Sequence, residues 1–174
     1  MIHINQATIS DIPVIQRIAY HTWPVTFEHI LSMEQLTYML DMMYSSVSLA
    51  QQIQQKGHAF LLAEIGGQGP MGFAAYEINF QGSPVTKVHK IYILPEAQGK
   101  GLGKALFEYI ARDSVKKGNG RLSLNVNRNN IKALEFYQNN GFEIVGEEDI
   151  QIGQGYLMED YILEKDLKRD SPSI

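Results

Sequence analysis

The chain has 174 residues, 44% hydrophobic and 20% charged, with a net charge of −4; that is one domain's worth of material, able to bury a sizeable core. A disordered tail protein is excluded, and no apolar run reaches the roughly 18–20 residues of a membrane span. Cys is absent, which removes disulfides, thiolate metal sites and cysteine nucleophiles. Residues 1–5 lack the basic-then-apolar pattern of a signal peptide, so a cytoplasmic protein is expected.

In chain order, Ile2, Ile4 and Ala7 predict a first strand. Ser10, ahead of Asp11, Ile12 and Pro13, reads as an N-cap with proline in the first turn, and Ile12, Ile15, Ile18 and Ala19 carry a helix to about Thr22. Ser32 and Gln35 have capping-box spacing before the apolar face of Leu36, Met39, Leu40 and Met43. A third helix over residues 46–56 ends at Gly57. Residues 59–65 and 71–78 then bracket a glycine-rich turn as a hairpin, and residues 87–94 alternate as a strand that stops at Pro95.

An amphipathic helix over 102–117, a strand over 121–126 and a helix over 131–140 follow. Strands at 142–145 and 156–163 complete the order. Strands alternating with helices in the second half predict an α/β fold, a mixed sheet with helices on both faces. No repeat or linker divides the chain. The expected organisation is one domain over residues 1–166 and a short polar tail over 167–174.

Charge is segregated. Residues 86–132 hold 10 basic and 3 acidic side chains, a net +7, whereas residues 1–85 net −4 and residues 133–174 net −7. A basic middle suits a polyanionic ligand; the overall negative charge argues against nucleic acid.

Within that middle, Gln98-Gly99-Lys100-Gly101-Leu102-Gly103-Lys104 lies between a strand and a helix. Glycines there let backbone N–H groups approach a phosphate, and the helix N-terminus favours negative charge. The spacing rules out two common phosphate loops. Leu106 stands where a dinucleotide fingerprint needs glycine, and Ala105 stands where a Walker loop needs Ser or Thr.

Ile93-x-Pro95-x-x-Gln98-Gly99-x-Gly101-x-Gly103 resembles the acetyl-CoA pyrophosphate loop of the GNAT superfamily of N-acyltransferases. The second half of that signature follows in order, as Asn130-x-x-Ala133-x-x-Phe136-Tyr137-x-x-x-Gly141-Phe142. The resemblance covers residues 86–145, and more faintly extends to a bacterial polyamine-acetyltransferase-like subgroup. It implies a GNAT-like, mostly antiparallel sheet of about seven strands and acetyl transfer from acetyl-CoA, without a metal, to a small amine, a polyamine or a protein amino group. It also implies that Gln98 to Lys104 hold pyrophosphate, and that pantetheine lies along the strand of Ile91 and Ile93 and bonds Asn130. Tyr137 would protonate the departing thiolate or position the thioester sulfur. A CoA-binding sensor without turnover is the rival.

An amine acceptor must lose a proton, because a primary ammonium has an ordinary pKa near ~10.4. Two residues compete for that task. His89 is expected on the strand face of Ile91 and Ile93; Glu77, on the neighbouring strand, would act through water. The remaining histidines, His3, His21, His29 and His58, show no local metal-ligand spacing, and no metal is expected. Trp23, Phe27, Met39, Met42, Met43 and Tyr44 form either an acceptor wall or core. Glu34 and Asp41 share a helix face and, with Glu147, Glu148, Asp149, Glu159 and Asp160, would favour a cationic acceptor. Oligomeric state is not written in the sequence, which allows a homodimer.

Overall fold

The computed structural model describes residues 1–167. Its strands are β1 (Ile2–Gln6), β2 (Ala59–Ile65), β3 (Pro70–Glu77), β4 (Val85–Ile93), β5 (Arg121–Asn127), β6 (Glu143–Gly153) and β7 (Tyr156–Asp166). The helices are α1 (Ile12–Phe27), α2 (Met33–Tyr44), α3 (Ser46–Gln54), α4 (Leu102–Lys116) and α5 (Ile131–Asn139). One seven-stranded sheet runs β1-β2-β3-β4-β5-β7-β6. Every pairing is antiparallel except β4 with β5, which gives the mixed, mostly antiparallel sheet expected from sequence.

Alternation along the strands assigns the two faces. Phe73 and its cross-strand partner Tyr92 point toward the first helices, where Tyr44 and Trp23 pack edge-on or tilted against them. Tyr76 points the other way and donates its hydroxyl to Asp113 of α4 at 2.7 Å. The sheet is thus covered by helices on both faces. No described helix is long and apolar enough to cross a membrane.

Two helix boundaries differ from expectation. Ser10 is not the first cap: the chain turns at Thr8, whose N–H donates to Asp11 Oδ2 at 2.8 Å, and a 3-10 turn over Ile9–Asp11 leads into α1. The same helix runs on to Phe27, through Pro24. An interior proline costs ~3 kcal/mol. Continuing the helix buries Trp23 and Phe27, worth about 1.5–3 kcal/mol each, while Pro24 itself is exposed. Ser32 caps α2 as expected by accepting from the Gln35 N–H at 3.1 Å. Gln35 does not complete the box; its amide reaches across to Leu157 O at 2.9 Å.

The last hairpin is longer than its sequence signal. β6 extends through Glu147, Glu148 and Asp149 to Gly153, and Gln154 and Gly155, both at positive φ, make the two-residue turn into β7. Like charges then face each other, Glu148 opposite Asp160 and Asp149 opposite Glu159, which by itself is unfavourable. Arg128 offsets this, with its guanidinium 2.9 Å from Asp149 and 3.9 Å from Glu159. The hairpin tip is tied back to α2 by Tyr38, which donates to Ile152 O at 2.6 Å. At the far end, Leu167 is buried and donates its N–H to Gly120 O. The rest of the expected polar tail, residues 168–174, lies outside the described residues.

Candidate active site

β4 and β5 pair in parallel only from Val85/Arg121 to Val88/Leu124. Beyond Val88 the two strands separate, and a cavity of about 450 Å³ opens between them. Helix α4 begins at its mouth. Gly101, at φ +90, caps the helix in a left-handed conformation that only glycine adopts cheaply. The first-turn N–H groups of Leu102, Gly103 and Lys104 have no intrahelical acceptor by geometry. Gln98, Gly99, Gly101, Leu102, Gly103 and Lys104 all line the cavity, as do Ile91, Ile93 and Asn130; Lys100 does not. The loop is braced from α5, where Lys132 Nζ donates to Gln98 Oε1 at 3.1 Å.

Asn130 both lines the cavity and caps α5, accepting from the Ala133 N–H at 3.2 Å. Two turns on, Tyr137 is walled by Phe107, Phe136 and Phe142 with ring centroids 5.5–5.9 Å away. Burial pushes its phenol well above the usual range, so it stays protonated and can act as a donor.

On the opposite wall, a bulge re-aims β4. Ala75 pairs with Lys90 and Tyr76 with Val88, which leaves His89 without a partner. The strict alternation expected to align His89 with Ile91 and Ile93 is therefore interrupted, although all three line the cavity. His89 and Glu77, expected as competitors, are bonded to each other: His89 Nε2 lies 2.9 Å from Glu77 Oε1. His58 joins them. Its Nε2 is 3.3 Å from the same oxygen, and its ring stacks on His89 at 4.0 Å between centroids and 15° between planes.

These three groups have the identities and spacing of metal ligands. Their orientation differs: an ion shared by two nearly parallel stacked rings would lie far out of both ring planes, away from the nitrogen lone pairs. As placed, His89 and Glu77 form a hydrogen-bonded pair on which the His58 ring stacks. Burial, followed by the ammonium groups of Lys90, Lys87 and Lys56, lowers His89 to about 3. Burial and His89 lower His58 to about 4.

The acceptor side corrects several expectations. Trp23, Phe27, Met39 and Met43 line the cavity, joined by Thr26, Leu31, Leu157 and Met158. Tyr44 does not, because it is fully buried in the core between Trp23 and Phe73. Met42 and Glu34 are exposed on α2 and also lie off the cavity wall. Glu77 stands behind His89 and not in the lining.

Sequence reading missed Tyr92, Lys90 and Asn125, which line the cavity together with Asp160, expected on the acceptor side as one of the acids of the final strands. Lys90 is buried and donates to Gln52 Oε1 at 2.6 Å; burial lowers its ammonium to about 8. Asn125 bridges the charges beside it, accepting from Lys87 and donating to Glu148 at 3.0 Å and Asp160 at 3.2 Å. Burial raises the carboxyl of Asp160.

The acetyltransferase (GNAT) family model matches residues 18–142. The chain is 25% identical over 160 residues to an uncharacterised N-acetyltransferase of Mycobacterium bovis, covering 91% of this chain and 99% of that one. It is 27% identical over 161 residues to a spermidine N(1)-acetyltransferase of Thermoplasma acidophilum, covering 91% and 96%. Among solved structures, the PaiA N-acetyltransferase of Thermoplasma acidophilum in complex with coenzyme A superposes with a TM-score of 0.78 at 26% identity, over 95% of this chain and 99% of that one. With the paired motifs and a cleft that opens where the glycine loop and Tyr137 converge, the chain belongs to the acetyltransferase (GNAT) family and is an acetyl-CoA-dependent N-acetyltransferase.

Proposed function

We propose that the protein acetylates a small primary amine, with polyamines favoured, by direct attack on acetyl-CoA in a ternary complex. One observation carries this reading: the strands part so that a buried phenol, Tyr137, and an imidazole, His89, backed by its hydrogen-bonded Glu77, line one cavity whose mouth is the glycine loop. The likeness to a spermidine acetyltransferase over 91% of the chain supports the polyamine preference.

The loop amides and the α4 N-terminus hold pyrophosphate, with Lys104 alongside, and pantetheine fills the gap between β4 and β5. The acceptor enters between Trp23, Met39 and Met158. Its ammonium first gives one proton to solvent so that the nitrogen lone pair can attack the thioester carbonyl. Once the C–N bond forms, the remaining N–H is far more acidic, so even a weakly basic imidazole takes that proton, and Glu77 stabilises the resulting imidazolium. The C–S bond then breaks, and the CoA thiolate receives the Tyr137 proton. Amide and free thiol leave.

Tyr137→Phe tests the assignment. Turnover is expected to fall about 10²-fold with the KM for acetyl-CoA nearly unchanged, followed by thiol release across polyamines, aminoglycosides, amino acids and peptides. Wild-type turnover in this variant would reduce Tyr137 to packing.

A further inference from the structure

Asp160 lies on the cavity wall and is only 3% exposed. Its carboxylate accepts one hydrogen bond, at Oδ2 from Asn125 Nδ2, and forms no ion pair among the described residues; Arg128 reaches only its backbone oxygen. A buried carboxylate without a paired cation is costly, and a cationic ligand removes that cost.

Asn125 aims this carboxylate. It is the first β5 residue past the last β4–β5 pair, Val88 with Leu124, so its amide stands where the cavity opens. From the β4 side, Lys87 Nζ donates to Asn125 Oδ1. An ammonium only donates, so the amide oxygen must face Lys87 and the NH₂ must face away. The two hydrogens of that NH₂ go to two carboxylates, Glu148 Oε2 at 3.0 Å and Asp160 Oδ2 at 3.2 Å. Asp160 Oδ1 is left to the cavity. Met158, two residues earlier on the same face of β7, continues the wall as an apolar surface.

A carboxylate holds an ammonium in its charged form, the opposite of what an attacking nitrogen needs. Asp160 therefore suits a cationic nitrogen that does not react. We infer that Asp160, aimed by Asn125, is a specificity determinant: it pairs with a second, non-reacting ammonium of the acceptor and so selects diamines and polyamines over monoamines, with the aliphatic spacer along Met158. This rests on the reading of the protein as a small-amine acetyltransferase.

Butylamine and 1,4-diaminobutane differ by the second ammonium alone, and spermidine adds a third nitrogen. Release of CoA thiol gives kcat/KM for each. At 1 M salt a Debye length of ~3 Å removes long-range attraction to the final hairpin and leaves direct contacts. The better of the two polycations is expected to exceed butylamine at least about tenfold, the scale of a charge-assisted hydrogen bond. Asp160→Asn is expected to bring that ratio to about one. Asn125→Leu keeps the volume but loses the donor; it is expected to lower the ratio about threefold or more, with the KM for acetyl-CoA unchanged. A purely structural role would slow all three amines alike and leave the ratio in place.

Equal rates for butylamine and both polycations in the wild type overturn the inference, as does a wild-type ratio in Asp160→Asn. An unaltered ratio in Asn125→Leu overturns the aiming role of Asn125. In each of these cases the small-amine reading stands, because the amines turn over. Release of no thiol with any of the three amines overturns that reading, and the inference with it.

Discussion

A histidine kept neutral by burial refuses a proton that the unfolded chain accepts, and His58 and His89 are two such residues, lowered to about 4 and about 3 from an ordinary ~6.5. Above pH 6.5 neither folded nor unfolded chain binds these protons, so the pair adds no pH dependence there. Between about 6.5 and the folded values only the unfolded chain gains them, and stability falls as pH falls through that window, flattening below it. A depression of two units or more corresponds to ~3 kcal/mol per ring. The melting temperature is therefore expected to drop steadily from pH 6.5 to 4.5. In His58→Gln one titrating group is gone, and the slope is expected to shrink by about one proton. Equal slopes in wild type and variant, measured by thermal unfolding across this range, would contradict a neutral, buried His58.

At the scale of elements, the glycine loop makes its own prediction. A Cβ on Gly101 would sit 3.5 Å from Ile2 Cδ1, an ordinary contact, so Gly101→Ala is resisted by its φ of +90 at a cost of about 1 kcal/mol and not by crowding. Relieving that strain turns the amides away from the anion. Calorimetric titration with acetyl-CoA is expected to show at least about tenfold weaker binding in a folded protein; undiminished affinity would remove the loop from cofactor recognition. Gly103→Val is expected to be harsher, since even its Cβ meets Phe136 at 3.3 Å. This loop was legible because glycine spacing is local. So were most helices and strands, whose periodicity is set by one buried face. The continuation of α1 past Thr22 was not legible, because Pro24 is a local stop signal overridden by burial of Trp23 and Phe27 around Tyr92 and Tyr44. Nor was the full length of β6, whose acidic residues read as a loop until Arg128 is seen beside them.

The whole molecule decides what local reading cannot. His58, Glu77 and His89 are separated in sequence by 19 and 12 residues and meet only because β2, β3 and β4 pair side by side. The hairpin register was the signal that would have found them. Charge behaves similarly. The basic middle segment does not all serve the cofactor, since Lys90 is buried against Gln52 and Lys87 is held by Asn125. Even so, the β6–β7 hairpin from 143 to 166 carries eight acids and one lysine; Arg128 and Lys87 offset only part of this, and Asp160 reaches the cavity wall. A polycation is therefore drawn to the acceptor side, and the attraction weakens as the Debye length shortens from ~30 Å at 0.01 M to ~10 Å at 0.1 M salt. Measured over that range, kcat/KM for spermidine is expected to exceed that for glutamate and to fall with salt. Asp160→Asn removes the one acid among the described residues that lines the cavity, and is expected to lower the spermidine value about tenfold while leaving the KM for acetyl-CoA unchanged. A preference for glutamate, a spermidine rate indifferent to salt, or an Asp160→Asn enzyme as fast as wild type would each show that the acids of the final hairpin serve the surface and not the acceptor.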